Sequence, residues 1–421
     1  MMRKTILWAR IISAIFGMLS AEINRRARYV RTRLSGTIPP PGPEKNIVIV
    51  GFSFAGWFAT RTLAQNLPPN SGYRIIVVEP NSHFQFSWVL PRFCVVEGHE
   101  HKAFIPYDGF MSKIKDSVTL LQDRVVTTTP THVVLQNGEK IPYEYLIVAT
   151  GAEVKEGLPS RVNHAEKAEG ILRLQEIQAG IKAAKSIVVV GGGAAGVEVA
   201  TDAKDLYPEK NVTIVHSRDA LMNRFGKSLQ DEALEGMKKL GVEVILGERV
   251  VEEDAAAGTV TLRSGRVIEC DKFINCTGQK PASGMLQELS PKAIASDGHI
   301  SVKPTLQVAD DRFPNIYVCG DVADTKVPTP NARAAARQAA VACDNILAAM
   351  RGQEPTFIYE YSWPIDSFIK LTLGLHRSTT YMGDGEDSVM FRSKEGDDLM
   401  SKHAWKQFGA QPFEDSSYKT G

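Results

Sequence analysis

The sequence predicts an α/β fold in which one βαβ unit occurs twice and a small subdomain follows at the C-terminus. In each unit a short apolar run, typical of a strand buried on both faces, leads directly into a glycine-rich turn and a helix-compatible stretch. The turns are GFSFAG at 51–56 and GGGAAG at 191–196. Their separation of about 140 residues indicates duplicated domains and excludes a short-period repeat. We therefore predict two Rossmann-like dinucleotide-binding domains.

The basic charge of the chain is concentrated at its N-terminus. Residues 1–36 carry eight lysine and arginine side chains against one acid, Glu22, whereas the whole chain of 421 residues has a formal charge of only +1. The remaining body is therefore mildly acidic, which argues against nucleic-acid binding.

The same N-terminal segment contains a largely apolar run at 11–21. A run of this length is too short to cross a bilayer, which needs about 20 residues. An arginine-rich, acid-poor, amphipathic segment is typical of a mitochondrial targeting sequence or an interfacial membrane anchor. A cleaved secretory signal and a tail without a partner remain alternatives. A stiff spacer is predicted from Pro39, Pro40, Pro41 and Pro43.

The second glycine turn carries the full GxGxxG spacing in Gly191, Gly193 and Gly196. The first glycine allows a tight turn, the second lets the backbone approach a pyrophosphate, and the third lets helix and strand pack closely. The helix that follows offers free N–H groups to the phosphates. The pattern alone is weak evidence, and the strand before it and the helix after it make it strong.

The first glycine turn departs from this spacing at its middle position. Gly51, Ala55 and Gly56 are present, but Ser53 replaces the second glycine. Serine is small, and its hydroxyl can donate to a phosphate. Glu79 ends the next strand, where a carboxylate accepts both hydroxyls of an adenosine ribose. A merely solvated charge at the strand end is the alternative for Glu79.

The second unit has no acid at the equivalent strand end. His216 stands there and is followed by Arg218. Without a carboxylate to repel a 2′-phosphate, and with Arg218 able to pair with one, the sequence favours NADPH over NADH. The alternative is that Arg218 is an ordinary surface arginine.

Three later segments are apolar strands that end in small-residue turns. YLIVATGA at 145–152 contains Thr150 and Gly151, and FINCTGQKP at 273–281 contains Gly278. The third, IYVCGDVAD at 316–324, ends in Gly320 and Asp321. An aspartate at such a strand end can accept a hydrogen bond from a ribityl hydroxyl of FAD.

The order of these signatures resembles the two-dinucleotide-binding flavoprotein disulfide reductase superfamily. Over roughly 45–380 the chain is most similar to the apoptosis-inducing-factor-like mitochondrion-associated proteins, called ferroptosis suppressor proteins in animals, with type II NADH:quinone oxidoreductases as the next relatives. VTIVHS at 212–217 and WVLPR at 88–92 favour the former. The resemblance implies FAD-dependent oxidation of NADPH or NADH, with a quinone as acceptor.

The resemblance also assigns roles to further positions. It implies Glu198 beside the nicotinamide, and Asn331 and Gln338 near the flavin or the acceptor. We also predict that Arg92 reaches the FAD pyrophosphate, with core packing as the alternative, and that Val125 contacts FAD. Hydride transfer needs positioned rings more than acid–base groups, so we expect no catalytic triad.

The five cysteines lack the CxxxxC pair of the disulfide reductases. They also form no CxxC pair or zinc-type cluster, so we predict no metal site and an intracellular, reducing compartment. Without a dithiol, electrons would pass directly from flavin to acceptor. Cys94, Cys319 and Cys343 are predicted to be small core residues.

We expect five segments. They are a basic segment and linker (1–43), the first part of the FAD domain (44–165), the NAD(P)H domain (166–289), the second part of the FAD domain (290–355) and a C-terminal subdomain (356–421). A biosynthetic flavin oxidoreductase acting on an aromatic metabolite and a redox-gated interaction protein are the alternative functions. A homodimer stays open.

Overall fold

A computed structural model describes residues 2–34, 45–68, 71–154, 159, 161–383 and 386–418. The predicted proline spacer lies outside the described residues. Within them the predicted α/β architecture is confirmed, since two separate parallel sheets each follow the βαβ order.

The first sheet has five strands, all parallel. In spatial order they are Ile316–Val318, Tyr145–Val148, Lys45–Val50, Tyr73–Val78 and Val118–Leu121. Helices Phe54–Asn66 and Ala332–Ala349 pack against each other beside it. An antiparallel sheet of Val125–Thr128, His132–Leu135 and Lys140–Pro142 adjoins this domain. The edge strand of the five-stranded sheet, Ile316–Val318, comes from a part of the chain that follows the second sheet in sequence.

The second sheet has four parallel strands. In spatial order they are Glu243–Leu246, Asn211–His216, Ser186–Val190 and Lys272–Asn275. Its helices are Lys167–Ala183, Ala194–Leu206 and Lys227–Leu240. A small antiparallel sheet is formed by Val250–Asp254, Thr259–Leu262 and Val267–Glu269. The five predicted segment boundaries stay a prediction.

The C-terminal region is mixed, as the sequence predicts. It contains the short helix Trp363–Asp366, an antiparallel sheet of Ile369–Thr372, Arg377–Gly383 and Ser388–Lys394, and the helix Ser401–Gln407. The remaining short strands pair as His83–Gln85 with Phe104–Pro106, Ala152–Glu153 with Lys280–Pro281, and Ile300–Ser301 with Ala323–Asp324. Single helical turns occur at Leu90–Phe93, Glu100–Ala103, Asp108–Met111, Gly284–Leu286 and Pro291–Ala293.

The N-terminal helix, Met2–Leu34, is one continuous helix of 33 residues. Its segment 6–28 is long and apolar enough to cross a membrane by length and composition. This corrects the prediction from the shorter run at 11–21, because the flanking residues continue the helix and add apolar side chains. Leu7 and Ile11 are buried against the body of the protein.

The antiparallel C-terminal sheet is fastened to the second domain through Glu232. This buried carboxylate of helix Lys227–Leu240 accepts hydrogen bonds from Nε and Nη2 of Arg392, at 2.9 and 2.6 Å, and from Arg377 and the hydroxyl of Thr379. Hydrogen bonds from Arg392 above all lower the pKa of Glu232 to about 2. Glu232 is therefore ionised throughout the neutral range.

We expect Glu232→Gln to destabilise the fold in a pH-dependent way. Because the pKa of Glu232 is lower in the folded state, its contribution is complete above the unfolded value of about 4.3 and is lost as the pH falls towards 2. Allowing for screening at exposed Arg392, we expect about 1–2 kcal/mol at neutral pH. Denaturant unfolding of both proteins across this range measures the difference. Glu235→Gln, on the same helix, is the control, and a gap that persists at pH 2 would contradict the assignment.

Candidate functional site

The first glycine turn is closed by two backbone contacts that leave no room for side chains. Gly51 has a positive φ of 96°, and a Cβ there would lie 2.4 Å from the carbonyl oxygen of Ala149. A Cβ on Gly56 would lie 1.8 Å from the carbonyl oxygen of Gly51. Ser53 precedes the helix, and its side chain makes no capping hydrogen bond. Its hydroxyl thus stands at the helix N-terminus, as a phosphate contact requires.

Glu79 is buried beneath this turn, with an exposed fraction of 4%. One carboxylate oxygen accepts from the backbone N–H of Phe52 at 2.5 Å, and the other accepts from that of Asn81 at 2.9 Å. Burial raises the pKa of Glu79, and the two N–H groups oppose that rise. The alternative of a solvated charge is therefore excluded. The carboxylate supports the turn and still has lone pairs for ribose hydroxyls.

The carboxyl ends of the neighbouring strands bring the other predicted FAD residues to the same edge. A Cβ on Gly320 would lie 3.0 Å from the Cβ of Ala55, so the GD strand end touches the first turn. Thr150 donates from its hydroxyl to the carbonyl oxygen of Ala282 at 2.7 Å. The next residue, Gly151, has a φ of 70°, and a Cβ there would meet nothing within 4 Å.

Asp321 and Val125 complete this predicted set. The carboxylate of Asp321 is partly exposed and accepts from Nη2 of Arg161 at 3.0 Å. Val125 begins the strand Val125–Thr128 and packs in the apolar cluster that contains Val50 and Val78. Arg161 is a partner of Asp321 that the sequence did not indicate, and the contact of Asp321 with a ribityl hydroxyl stays a prediction.

Gln338 and Asn331 both bind backbone groups of the protein. Oε1 of Gln338 accepts from the N–H of Gly320 at 2.8 Å, its Nε2 donates to the Thr325 hydroxyl at 3.0 Å, and the residue is buried. Asn331 caps helix Ala332–Ala349 by accepting from two of its N–H groups, and its Nδ2 donates to the carbonyl oxygen of Asp366. Both residues therefore act as positioning residues for backbone, and a place beside the acceptor stays a prediction.

Arg92 is also placed differently from the prediction. Its Nε donates to Oδ2 of Asp202 at 2.5 Å, and its two terminal nitrogens donate to the carbonyl oxygens of Gly374 and Leu375 at 2.9 and 3.0 Å. The side chain is 1% exposed. Since every guanidinium nitrogen has a partner inside the protein, these bonds argue against the predicted contact with the FAD pyrophosphate. Arg92 instead joins the second domain to the C-terminal region.

The second glycine turn repeats the geometry of the first, except that its middle position is a glycine, Gly193, where the first turn has Ser53. A Cβ on Gly196 would lie 1.9 Å from the carbonyl oxygen of Gly191, whereas a Cβ on Gly193 would meet nothing within 4 Å. Gly193 is exposed. The open space at Gly193 is what close approach of a pyrophosphate needs. Gly278 follows the adjacent strand with a φ of 86°, so it lies at the same edge.

His216 lies against this second turn. Its Nδ1 accepts from the backbone N–H of Gly192 at 3.0 Å, and its Nε2 is 3.3 Å from Oδ1 of Asn223. Burial lowers the pKa of His216, which keeps the ring neutral at pH 7. Arg218 is exposed beyond it. The strand end therefore presents a neutral ring and a cation, with no carboxylate among these residues.

Glu198 lies in the second turn of helix Ala194–Leu206, two residues after Gly196, and is partly buried. One of its carboxyl oxygens accepts from the backbone N–H of Thr372 at 3.1 Å. Burial, helped by neighbouring Asp202, raises the pKa of Glu198 to about 8, so the group is mainly protonated at neutral pH. Asp202 itself was not indicated by the sequence. Burial raises its pKa to about 6 against the opposing effect of Arg92.

The cysteines agree with the core prediction. Cys94, Cys319 and Cys343 are at most 1% exposed, and all five cysteines are free thiols. Burial raises the pKa of Cys94 and of Cys319 to about 12. These thiols are therefore protonated and inert at neutral pH.

The two glycine turns, each at the carboxyl edge of a parallel sheet, fit two dinucleotides, and the GD strand end beside the first turn fits FAD there. This arrangement defines a two-dinucleotide-binding flavoprotein. The chain belongs to the pyridine nucleotide-disulphide oxidoreductase family, whose sequence profile matches residues 45–340. It is an FAD-dependent NAD(P)H oxidoreductase.

Curated relatives share almost the whole chain. Fe-regulated protein 8 of Mycosarcoma maydis is 32% identical over 396 residues, which are 87% of this chain and 95% of that protein. Ferroptosis suppressor protein 1 of Mus musculus is 30% identical over 386 residues, which are 87% of this chain and 96% of that protein. The resemblance to the ferroptosis suppressor family is thereby confirmed.

Solved structures agree on the fold. The sulfide:quinone oxidoreductase of Aquifex aeolicus gives a TM-score of 0.66 at 14% identity and covers 87% of this chain and 90% of that one. The water-forming NADH oxidase of Lactobacillus brevis bound to NADH gives 0.63 at 21% identity and covers 81% and 75%. At these identities the comparison establishes the architecture alone.

Proposed function

We propose that the protein oxidises NAD(P)H and passes the electrons directly from FAD to a quinone that it meets at a membrane surface. The observation that supports this most is a continuous path of packed elements. It runs from the N-terminal helix, with its exposed apolar side chains, to the strand end that holds Gly320.

The path has three links. The N-terminal helix packs against helix Trp363–Asp366, which in turn packs against helix Ala332–Ala349. Asp366 is fully buried and accepts from the Tyr359 hydroxyl at 3.0 Å and from Arg337, while its backbone oxygen accepts from Asn331. Gln338 then binds Gly320. The N-terminal helix is thus joined to the strand end at Gly320 through the helices Trp363–Asp366 and Ala332–Ala349.

In the proposed reaction the protein mainly positions the two cofactors, and it contributes little acid–base catalysis. Bound FAD supplies the centre that accepts a hydride from the nicotinamide and returns the electrons to the acceptor. Glu79 and Asp321 would bind its hydroxyls, and the open face of Gly193 would admit the second pyrophosphate. Protonated Glu198 adds no negative charge beside the second turn. The N-terminal end of helix Ala332–Ala349 favours negative charge that develops nearby.

An acceptor panel tests the proposal. The full-length protein is loaded with FAD, and NADH and NADPH oxidation is followed with ubiquinone-type quinones, with oxygen alone and with no acceptor. We expect quinone turnover well above turnover with oxygen. Oxidation without any quinone response would favour the flavoenzyme of a biosynthetic pathway. Slow reoxidation by every acceptor, together with a cofactor-dependent oligomer, would favour a redox-gated interaction protein.

The donor preference is part of the same proposal. We expect Arg218→Ala to raise the KM for NADPH by about tenfold and to leave the KM for NADH nearly unchanged, because the lost partner is a charge-assisted bond to the 2′-phosphate. Steady-state kinetics with both donors measures this. Arg266→Ala is the matched control, since Arg266 is an exposed arginine of the same domain that pairs with Glu243 at the opposite end of the sheet. Equal effects on both donors would contradict the assignment.

We further propose membrane association through the N-terminal helix, with the mitochondrion as the address. The support is the length and composition of segment 6–28 together with its basic charge. A fluorescent fusion of residues 1–43 tests the address, and a diffuse signal would sink it. A homodimer stays a prediction.

A further inference from the structure

The N-terminal helix has two different apolar faces, and only one of them is covered by the protein. Leu7 and Ile11 are 3% and 4% exposed and pack on the body. On the other face Ile12, Phe16, Leu19 and Ile23 are 50%, 67%, 55% and 65% exposed. Their spacing of i, i+4, i+7 and i+11 places them in one stripe along the helix. We call these four residues the outer stripe.

The helix is held to the body at both of its ends. Near the start Leu7 and Ile11 are buried, and the ring of Trp8 lies 6.0 Å from that of Phe391. Near the end both terminal carboxylate oxygens of Asp344 accept from Arg25, at 3.0 and 3.1 Å. From Leu7 to Arg25 the helix rises about 27 Å at ~1.5 Å per residue. It therefore lies along the protein surface over most of a bilayer thickness.

This double attachment bears on how the helix can meet a membrane. To span a bilayer, the helix would have to release either the apolar contacts of Leu7 and Ile11 or the ion pair between Arg25 and Asp344. Asp344 is 7% exposed, and removing one partner of a buried ion pair is strongly unfavourable. A helix that stays docked can offer its outer stripe only sideways, parallel to the membrane plane.

The charges beside the outer stripe are complementary to an anionic surface. Arg26 flanks the outer stripe, and Arg31 is exposed further round the same helix. Its one acid, Glu22, is engaged by Arg25 and Arg26. Basic residues beside an apolar stripe are the pattern with which a helix binds in the plane of an anionic bilayer.

We propose that the outer stripe binds an anionic lipid bilayer in its plane while the helix stays docked on the protein through Leu7, Ile11 and the Arg25–Asp344 pair. The protein is then a monotopic membrane protein, whose helix does not cross the bilayer. This inference deepens the proposed membrane-linked function and rests on it.

Vesicle flotation of the full-length, FAD-loaded protein tests the binding. The vesicles contain phosphatidylcholine alone or with a third of phosphatidylserine. We expect the protein to float with the anionic vesicles. Phe16→Glu combined with Leu19→Glu should lower the bound-to-free ratio at least about tenfold. Ser13→Glu combined with Asn24→Glu adds the same charge at exposed positions outside the stripe and should change it no more than about twofold.

A protease test reads the orientation. An epitope tag at the N-terminus should remain fully cleavable by protease added outside the vesicles. A protected tag would overturn the in-plane arrangement, and equal loss of binding in both double variants would overturn the role of the stripe. If the wild type does not float but forms a dimer that Phe16→Glu with Leu19→Glu dissociates, the occupant of the stripe is a second copy of the chain and the proposal is wrong.

NAD(P)H oxidation with a water-soluble quinone, measured without lipid, separates this inference from the proposed function. We expect all variants to match the wild type in that assay. If the wild type does not reduce the quinone, the proposed function is wrong, but the flotation result still holds. If the wild type reduces the quinone but does not float with vesicles, only the proposed lipid binding is wrong.

Discussion

Gly56→Ala is expected to yield a protein that is purified without bound flavin. The new Cβ would stand 1.8 Å from the carbonyl oxygen of Gly51, whereas carbon and oxygen atoms in contact are about 3.3–3.6 Å apart. The turn would have to open by about 1.5 Å to accept the methyl group. Overpacking where side chains can yield costs about 1–3 kcal/mol, and here the obstacle is backbone, so we expect the upper end or more.

The measurement is the ratio of flavin to protein absorbance after purification, followed by titration of the variant with FAD. We expect at least tenfold weaker retention, equivalent to ~1.4 kcal/mol. Gly17→Ala is the matched control, because Gly17 is also helical and a Cβ there meets nothing within 4 Å. It should remain yellow. A yellow Gly56→Ala protein with one FAD per chain would show that the first turn does not hold the flavin.

Arg92→Met is expected to destabilise the protein by about 3–5 kcal/mol, because it leaves the buried carboxylate of Asp202 without its counter-charge. Asp202 is fully buried, and its other oxygen, Oδ1, has no partner in the described part of the chain. The carbonyl oxygens of Gly374 and Leu375 lose their donors as well. Denaturant midpoints of the FAD-loaded proteins measure the loss.

The double variant Arg92→Met with Asp202→Leu decides what Arg92 does. Replacing both partners of a buried ion pair by apolar residues is often nearly neutral. We therefore expect the double variant to regain most of the stability and to bind FAD normally. If Arg92 instead held the FAD pyrophosphate, removing Asp202 could not restore flavin binding. A stable but colourless double variant would thus reinstate the contact predicted from sequence.

The glycine turns and Glu79 could be predicted from sequence because their roles are set by local geometry. A tight turn between strand and helix needs small residues at fixed spacing, and Glu79 stands at a fixed distance along the same βαβ unit. Arg92 could not be placed in this way. Its partners Asp202 and Gly374 lie 110 and 282 positions away along the chain, and an acid in a helix gives no sign that it is buried.

Two amide side chains show a second reason why the sequence and the structure differ. The sequence places Asn331 and Gln338 near Gly320, because the strand that ends at Gly320 and the helix Ala332–Ala349 follow each other in the chain. Which way an amide points depends on backbone groups such as the N–H of Gly320 and the carbonyl oxygen of Asp366. The N-terminal helix was underestimated because the apolar run was read without its flanks, which continue the helix in both directions.

The late position of the edge strand Ile316–Val318 in the sequence affects the order in which the two sheets can form during synthesis. All four strands of the second sheet have been synthesised by residue 275, whereas the first sheet lacks its last strand until residue 318 has been made. Domains generally fold as units during translation, beginning from the N-terminus. Here the order is inverted: the second sheet can close first, and the first sheet stays incomplete until residue 318 of the 421 has been made.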